Sequence, residues 1–462
     1  MSGAFRPLPL TCLVAAALGL AAMIGCSGPS TAKKTPPEAT PTAPTAPSAP
    51  SAQIEAEKNA KVMLGIDVLE ADGFAQLKGK KVGLLTHPAG VNRRGESTVD
   101  VLRRAAGVQL VALFGPEHGI YGDAAAAVNI ANTTDKRTGL PVFSLYGPTK
   151  RPTKAMLKGI DALVIDLQDI GTRSYTFVSA MRWAMEGCFE NGVEVIVLDR
   201  PNPLGGLKVD GPPLDEKWAK ENYVGAFRVP YVHGLTIGEL ARMAKEAPGV
   251  MAVTDAVRAK GKLTVVPMRG WTRAMRWPET GLTWVKTSGL IQDWMAVQGY
   301  PMTGLGTYFD PKTKVEIGFF HGVGTHYPFR GLSHRSVKLD TVEKDLRALN
   351  LPGIQFIRVS APDRNGRPAI GLFITINDYD EWRPVELNFY LMRLACKYAP
   401  ANPFAPAAGR DFSGFLRHMG SQAFLNDLAA KGAKVDVEGW IRTWREQAKV
   451  YQEQSKRYWL YR

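Results

Sequence analysis

The sequence predicts an α/β fold, a parallel sheet with helices on both faces followed by a smaller α+β C-terminal domain. Three observations lead there. Near-continuous Val/Ile/Leu runs alternate with amphipathic segments, the pattern of strands buried on both faces. Each run stops abruptly at Gly, Pro or a polar residue. The 462 residues are too many for one ordinary core, so two domains are expected, 61–267 and 268–462.

The first domain reads strand by strand. Lys81–Leu85 runs into Thr86-His87-Pro88, and Val108–Phe114 into Gly115-Pro116-Glu117-His118. Val142–Leu145 leads to Tyr146-Gly147, Ala162–Leu167 to Gln168-Asp169, and Val193–Leu198 to Asp199-Arg200-Pro201-Asn202. Thr98–Ala105 and Phe177–Phe189 lie between them as helices, the second closed by Asn191-Gly192. Thr236-Ile237-Gly238-Glu239 is a capping box opening a helix to Lys245.

Ligands of open α/β sheets bind outside the carboxyl ends of the strands. Here those ends carry His87, Glu117, His118, Asp169, Arg173 and Asp199. Each alone has a structural reading. Asp166 sits mid-strand beside backbone, Asp199-Arg200 is a potential local ion pair, and Asn202 between two prolines is a turn former. His233 is balanced between facing the cleft and shaping its own loop. Together they read as a site.

Several classes are excluded. The first strand ends in THPAG, not GxGxxG, so neither nicotinamide nor flavin is expected and no cofactor is called for. No GxxxxGK[ST], HExxH or GxSxG motif occurs, and His321 and His326 have no carboxylate at metal spacing. No metal is expected. The 57 Lys and Arg outweigh 43 Asp and Glu by a net charge of +14, which favours anionic partners. No compact basic run with interleaved aromatics points to nucleic acid.

Met1–Gly25 pairs Arg6 with the apolar run Leu10–Ile24, too short for a stable span and read as a signal peptide. Ile24-Gly25-Cys26-Ser27 resembles a bacterial lipoprotein cleavage box, so residues 1–26 are expected to be a leader with Cys26 lipidated. The plainer alternative is a soluble secreted protein. Residues 27–60, rich in Pro, Ala and Thr, are an expected disordered tether. This gives an exported, membrane-anchored protein facing the periplasm or cell exterior, touching the membrane through its lipid alone. Cys188 and Cys396 fit two free thiols better than a disulfide.

These residues also carry a resemblance. THPAGVNRRG (Thr86–Gly95), GPEHGIYGD (Gly115–Asp123), TGLPVFSLYG (Thr138–Gly147), IDALVIDLQDIGTRSYTF (Ile160–Phe177) and VLDRPNPLGG (Val197–Gly206), in order, resemble the exo-β-N-acetylmuramidase family. This is the NamZ type of glycoside hydrolase family 171, formerly a domain of unknown function. The resemblance covers essentially everything after the tether. It implies a Rossmann-like domain and a smaller C-terminal domain with the site between them. It also implies release of N-acetylmuramic acid from the non-reducing ends of peptidoglycan fragments. It implies that Glu117 is the principal catalytic carboxylate, that Asp169, Arg173 and Tyr175 line the pocket, and that His87, His118, Asn202 and His233 lie near it.

Two second-domain loops depart from the family pattern. Trp277-Pro278-Glu279-Thr280-Gly281 stands for a PSPN-like loop, and Gly304-Leu305-Gly306-Thr307 for an acidic EGTN-like one. Two alternatives stay open beside the muramidase: a non-catalytic glycan-binding lipoprotein, and a hydrolase of another anionic sugar. Glycosidic cleavage needs an acid for the leaving oxygen and usually a second carboxylate. Glu117 and Asp169 fill those places, with substrate assistance as an alternative to the second. The lactyl carboxylate of muramic acid calls for a guanidinium, Arg173 first and Arg330 second.

Overall fold

In the computed structural model the described residues are 62–462, apart from 125–127 and 220–221. The leader with Cys26 and the tether lie outside them. A seven-stranded sheet dominates the N-terminal half. Its strands are β1 (Lys81–Thr86), β2 (Gln109–Gly115), β3 (Thr133–Thr134), β4 (Pro141–Ser144), β5 (Ala162–Asp166), β6 (Glu194–Leu198) and β9 (Leu263–Val266), in spatial order β3-β4-β2-β1-β5-β6-β9. All pairings are parallel except β3 with β4 at one edge. A two-stranded ribbon, β7 (Asp210–Pro213) with β8 (Pro230–Val232), branches from it.

Side-chain alternation gives this sheet two buried faces. Leu84, Val164 and Ile196 pack with Val68 of α1 (Gly65–Ala71) and with Val101 and Leu102 of α2 (Thr98–Arg104). Leu85, Ile165 and Val197 pack with Met181 and Met185 of α3 (Thr176–Glu190) and Leu240 of α4 (Ile237–Glu246). Gly65 is needed where α1 meets the sheet, because a Cβ there would lie 2.4 Å from the backbone nitrogen of Asp199. The expected capping box is present: the Thr236 hydroxyl accepts from the Glu239 N–H at 3.2 Å, and Glu239 accepts from the Thr236 N–H at 3.0 Å.

From β1 the chain winds outward to β2 and β4, then returns to the other side of β1 with β5, β6 and β9. The switch point lies between β1 and β5, and outside the carboxyl ends of such strands is where open α/β sheets bind their ligands.

Past β9 and the short α5 (Asp255–Lys260), α6 (Trp294–Thr303) leads to a small ribbon, β10 (Phe309–Asp310) with β11 (Val315–Glu316). A four-stranded antiparallel sheet follows, β12 (Phe319–His321), β13 (Gly331–His334), β15 (Pro368–Ile376) and β14 (Ile354–Pro362) in spatial order. α7 (Leu339–Ala348), α8 (Glu386–Tyr398), α9 (Ser413–Met419), α10 (Gln422–Lys431) and α11 (Val437–Ser455) complete the region. One apolar core runs from Leu85 and Ile165 through Val297 to Leu372, Phe389 and Trp444. The late aromatics are packing residues: Trp444 and Tyr458 are buried, and the Tyr461 hydroxyl donates to Asp199 at 2.6 Å. Cys188 and Cys396 are free thiols.

Candidate active site

The turn after β2 builds the site's centre. The Gly119 N–H donates to the Pro116 carbonyl at 3.0 Å, and His118 takes φ 70°, which few residues with a side chain adopt. Gly122 has φ 72°, and a Cβ there would lie 2.7 Å from Cγ of Pro88. The loop is therefore clamped against the end of β1. It holds Glu117 half-buried, with Oε2 accepting from the Thr176 hydroxyl at 2.8 Å. Thr176 is the first residue of α3, so the carboxylate sits at the head of a 15-residue helix. Burial and then the Glu117 charge push the Tyr146 phenol above its ordinary range. The Tyr300 phenol is pushed up to about 12 by burial, with added contributions from Glu117 and Asp169. Tyr146 packs on Tyr223, their ring centroids 4.4 Å apart.

Near these strand ends lie polar atoms that are unpaired among the described residues. His87 is buried, and its Nε2 accepts from the Gln168 N–H at 2.9 Å. That bond puts the proton on Nδ1, which has no partner among the described residues. Burial, with the charge of Arg200 next, holds the His87 pKa well below the ordinary histidine range. Asp169 is buried, and its Oδ2 accepts from the Gly171 N–H at 2.7 Å while Oδ1 is unpaired. Nε2 of His233 lies 3.5 Å from that Oδ2, within ion-pair reach but too poorly aligned for a hydrogen bond. The Thr172 hydroxyl and Oε1 of Gln168 are also buried and unpaired. Buried polar groups are nearly always satisfied, so five exceptions near the same strand ends mark a place for a polar ligand or ordered water.

His118 donates from Nδ1 to the Ala124 carbonyl at 2.9 Å, which sets its tautomer and leaves Nε2 as the acceptor.

Other expected residues are committed elsewhere. Arg173 is buried, and its guanidinium donates to the carbonyls of Met419 at 3.2 Å and Arg417 at 3.4 Å. It ties the C-terminal end of α9 to the segment after β5, while its Nε is buried without a hydrogen-bond partner among the described residues. Burial lowers its pKa to about 10, still cationic at neutral pH. Asn202 keeps its turn-forming reading: Oδ1 accepts from the Leu204 N–H at 3.0 Å and Nδ2 donates to the Leu235 carbonyl at 3.0 Å. Tyr175 is buried with its hydroxyl 2.6 Å from that of Thr287, and its ring packs between Phe177 and Tyr300. Asp199 and Arg200 are not ion-paired to each other. Arg200 forks onto Asp166, at 2.5 and 2.8 Å, while Asp199 accepts from Gly238, Thr236 and Tyr461.

Arg330 is buried, donating from Nε to the Ile374 carbonyl at 2.7 Å and from Nη1 to Gln298 at 2.8 Å. Gly304–Thr307 is the turn that follows α6, where the Gly306 N–H donates to the Asn388 Oδ1 at 2.8 Å. The sequence signalled Tyr146 only as a strand end, and it offered no signal for Tyr223 or Tyr300. Among the described residues no group of three or more His, Cys, Asp or Glu is gathered as for a metal ion.

The chain matches the family model for the N-terminal part of exo-β-N-acetylmuramidase NamZ over residues 82–295, and that for the C-terminal part over 299–461. It is 35% identical over 417 residues to the peptidoglycan β-N-acetylmuramidase NamZ of Bacillus subtilis (strain 168), covering 88% of this chain and 93% of that protein. A crystal structure of a DUF1343 family protein from Bacteroides fragilis superposes with a TM-score of 0.76 at 35% identity, over 87% of this chain and 100% of that one. A second from the same organism has a TM-score of 0.63 at 24% identity, over 87% and 99%, and shows the fold alone.

Proposed function

The chain belongs to the exo-β-N-acetylmuramidase NamZ family, and from that premise we propose an exo-acting glycoside hydrolase that releases N-acetylmuramic acid from the non-reducing ends of peptidoglycan fragments. One observation carries the reading at this chain's own site. Glu117, bonded to Thr176 at the head of α3, shares the sheet's carboxyl edge with buried polar atoms that have no partner among the described residues.

The chemistry follows from that arrangement. Glu117 gives its proton to the glycosidic oxygen as the bond to the anomeric carbon breaks. The Thr176 hydroxyl, donating to Oε2, fixes the carboxyl group at the head of α3. Asp169 is the second carboxylate, with Oδ1 open to water or a substrate group. Water supplies hydroxide to the anomeric carbon, and the proton left over returns Glu117 to its acid form. His87 offers an Nδ1–H donor and the Thr172 hydroxyl a donor or acceptor, a set suited to ring hydroxyls and an acetamido group.

The test is release of N-acetylmuramic acid from a muramic-acid-terminated disaccharide by residues 53–462. Glu117→Gln is expected to lose activity by about 10³-fold or more and Asp169→Asn by about 10²-fold, both with an unchanged Tm. Near-wild-type turnover in Glu117→Gln would sink the assignment.

The proposal extends to the N-terminus. The leader and the Ile24–Ser27 box support export and lipidation at Cys26, with residues 27–60 as a spacer from the membrane. Mass spectrometry of the mature protein is expected to give a lipid-modified Cys26 as its first residue; an unmodified N-terminus at any other position would refute the anchor.

A further inference from the structure

A cavity of about 720 Å³ lies between the start of α6 and the loop joining β12 to β13, of a size that takes small ligands. Asp293, Met295, His321, Tyr327, Arg330 and Arg364 are in its wall. It adjoins the candidate active site through packed rings. His321 stacks on Phe329 at 4.2 Å, Phe329 packs on Tyr300 at 5.0 Å, and Tyr300 on Tyr175 at 5.8 Å. Asp293, Ala296 and Tyr300 have the spacing of one helix face. Ala296, also in the wall, stands four residues of helix before the Tyr300 that neighbours Glu117, roughly 6 Å of rise.

The wall sets two guanidinium groups beside one carboxylate, Asp293, whose Oδ1 accepts from the Ala296 N–H at 2.8 Å. Arg330 spends Nε and Nη1 within the protein, and Nη2 has no hydrogen-bond partner among the described residues. Arg364 is exposed. Arg330 lies over Phe373 at 5.1 Å, and the Tyr327 ring packs on the same Phe373 at 5.2 Å. Tyr327 and Phe329 take φ 56° and 61°, conformations that cost about 1–2 kcal/mol each for residues with side chains. The loop thus holds an aromatic ring beside two guanidinium groups against a backbone preference. Met295, 44% exposed, adds an apolar rim.

We propose that this cavity is a distal subsite that takes a carboxylate carried by the glycan, away from the scissile bond, with Arg330 and Arg364 as its cations and Tyr327 as a stacking face. The proposal rests on the muramidase reading above and deepens it. The carboxylate has two possible sources: the lactyl group of a muramoyl unit further along the chain, or a short acidic peptide on the terminal unit.

The experiment compares wild type and Arg364→Ala on a muramic-acid-terminated disaccharide, the peptide-free tetrasaccharide, and the disaccharide bearing an acidic dipeptide. The expected result is a higher kcat/KM for one of the two larger substrates, and a loss of roughly fivefold in that preference in Arg364→Ala. A preference for the tetrasaccharide identifies the lactyl source, and one for the peptidyl disaccharide the peptide. Identical substrate ratios in the two proteins would overturn the subsite. Should wild type hydrolyse none of the three, the muramidase reading fails by itself. Calorimetric binding of the same ligands to Glu117→Gln protein, with and without Arg364→Ala, then decides the cavity: weaker binding of one larger ligand supports it, and equal Kd values overturn it.

Discussion

Two polar clusters share one edge of the parallel sheet, and they differ in a single respect. At the ends of β5 and β6, Asp166 receives both arms of Arg200 and the Thr98 hydroxyl, and Asp199 receives two backbone N–H groups and two hydroxyls. Glu239 and Arg273 beside them form a further buried pair at 2.6 Å. These charges are compensated. At the ends of β1 and β5, a few residues away, His87, Asp169, Thr172, Gln168 and His233 each keep a buried atom without a partner. Residue type does not separate the clusters, since both hold buried carboxylates. Satisfaction does: a cluster whose bonds close on themselves supports the fold, and one whose bonds stay open has a ligand left to make.

The comparison can be broken from either side. The largest expected effect is in the open cluster, where Glu117→Gln removes about three orders of magnitude of turnover without moving the Tm. Arg200→Met should do the reverse. It strands the fully buried Asp166 carboxylate and is expected to cost about 3–5 kcal/mol, read from urea unfolding, whereas a loss below about 1 kcal/mol would show that the closed cluster is not structural.

A smaller effect concerns His87, whose folded pKa lies below its unfolded value near 6.5. Its contribution to stability is therefore complete above about pH 6.5 and falls as the pH drops, by about 1.4 kcal/mol per unit, until the folded pKa is reached. NMR of the ring nitrogens is expected to show a neutral Nδ1–H tautomer without titration from pH 8 to pH 6. An imidazolium signal at pH 6 would contradict the buried, neutral assignment.

Much of this site was legible from residues close together in sequence. Gly115-Pro116 ends an apolar run and exposes Glu117 at the strand end, and the same logic put His87 and Asp169 on that edge. The anchoring of Arg173 was not legible in the sequence, for a physical reason. Its partners are carbonyls 244 and 246 residues further on, and no local pattern announces them. Tyr300 was missed likewise, because it lies in a helix with no strand-end signal and reaches Glu117 only through packing of α6.

The sequence by itself determined the alternation of strands and helices, the breaks that place polar residues at the sheet's carboxyl edge, and the family to which those motifs belong. These are short-range properties: side-chain period, turn chemistry and capping act over a few residues. Tertiary structure alone decided which polar groups are satisfied, which guanidinium is sealed and which lines a cavity, and which aromatic rings surround the carboxylate. Those outcomes depend on atoms brought together from opposite ends of the chain, where hydrogen-bond geometry and burial set the result.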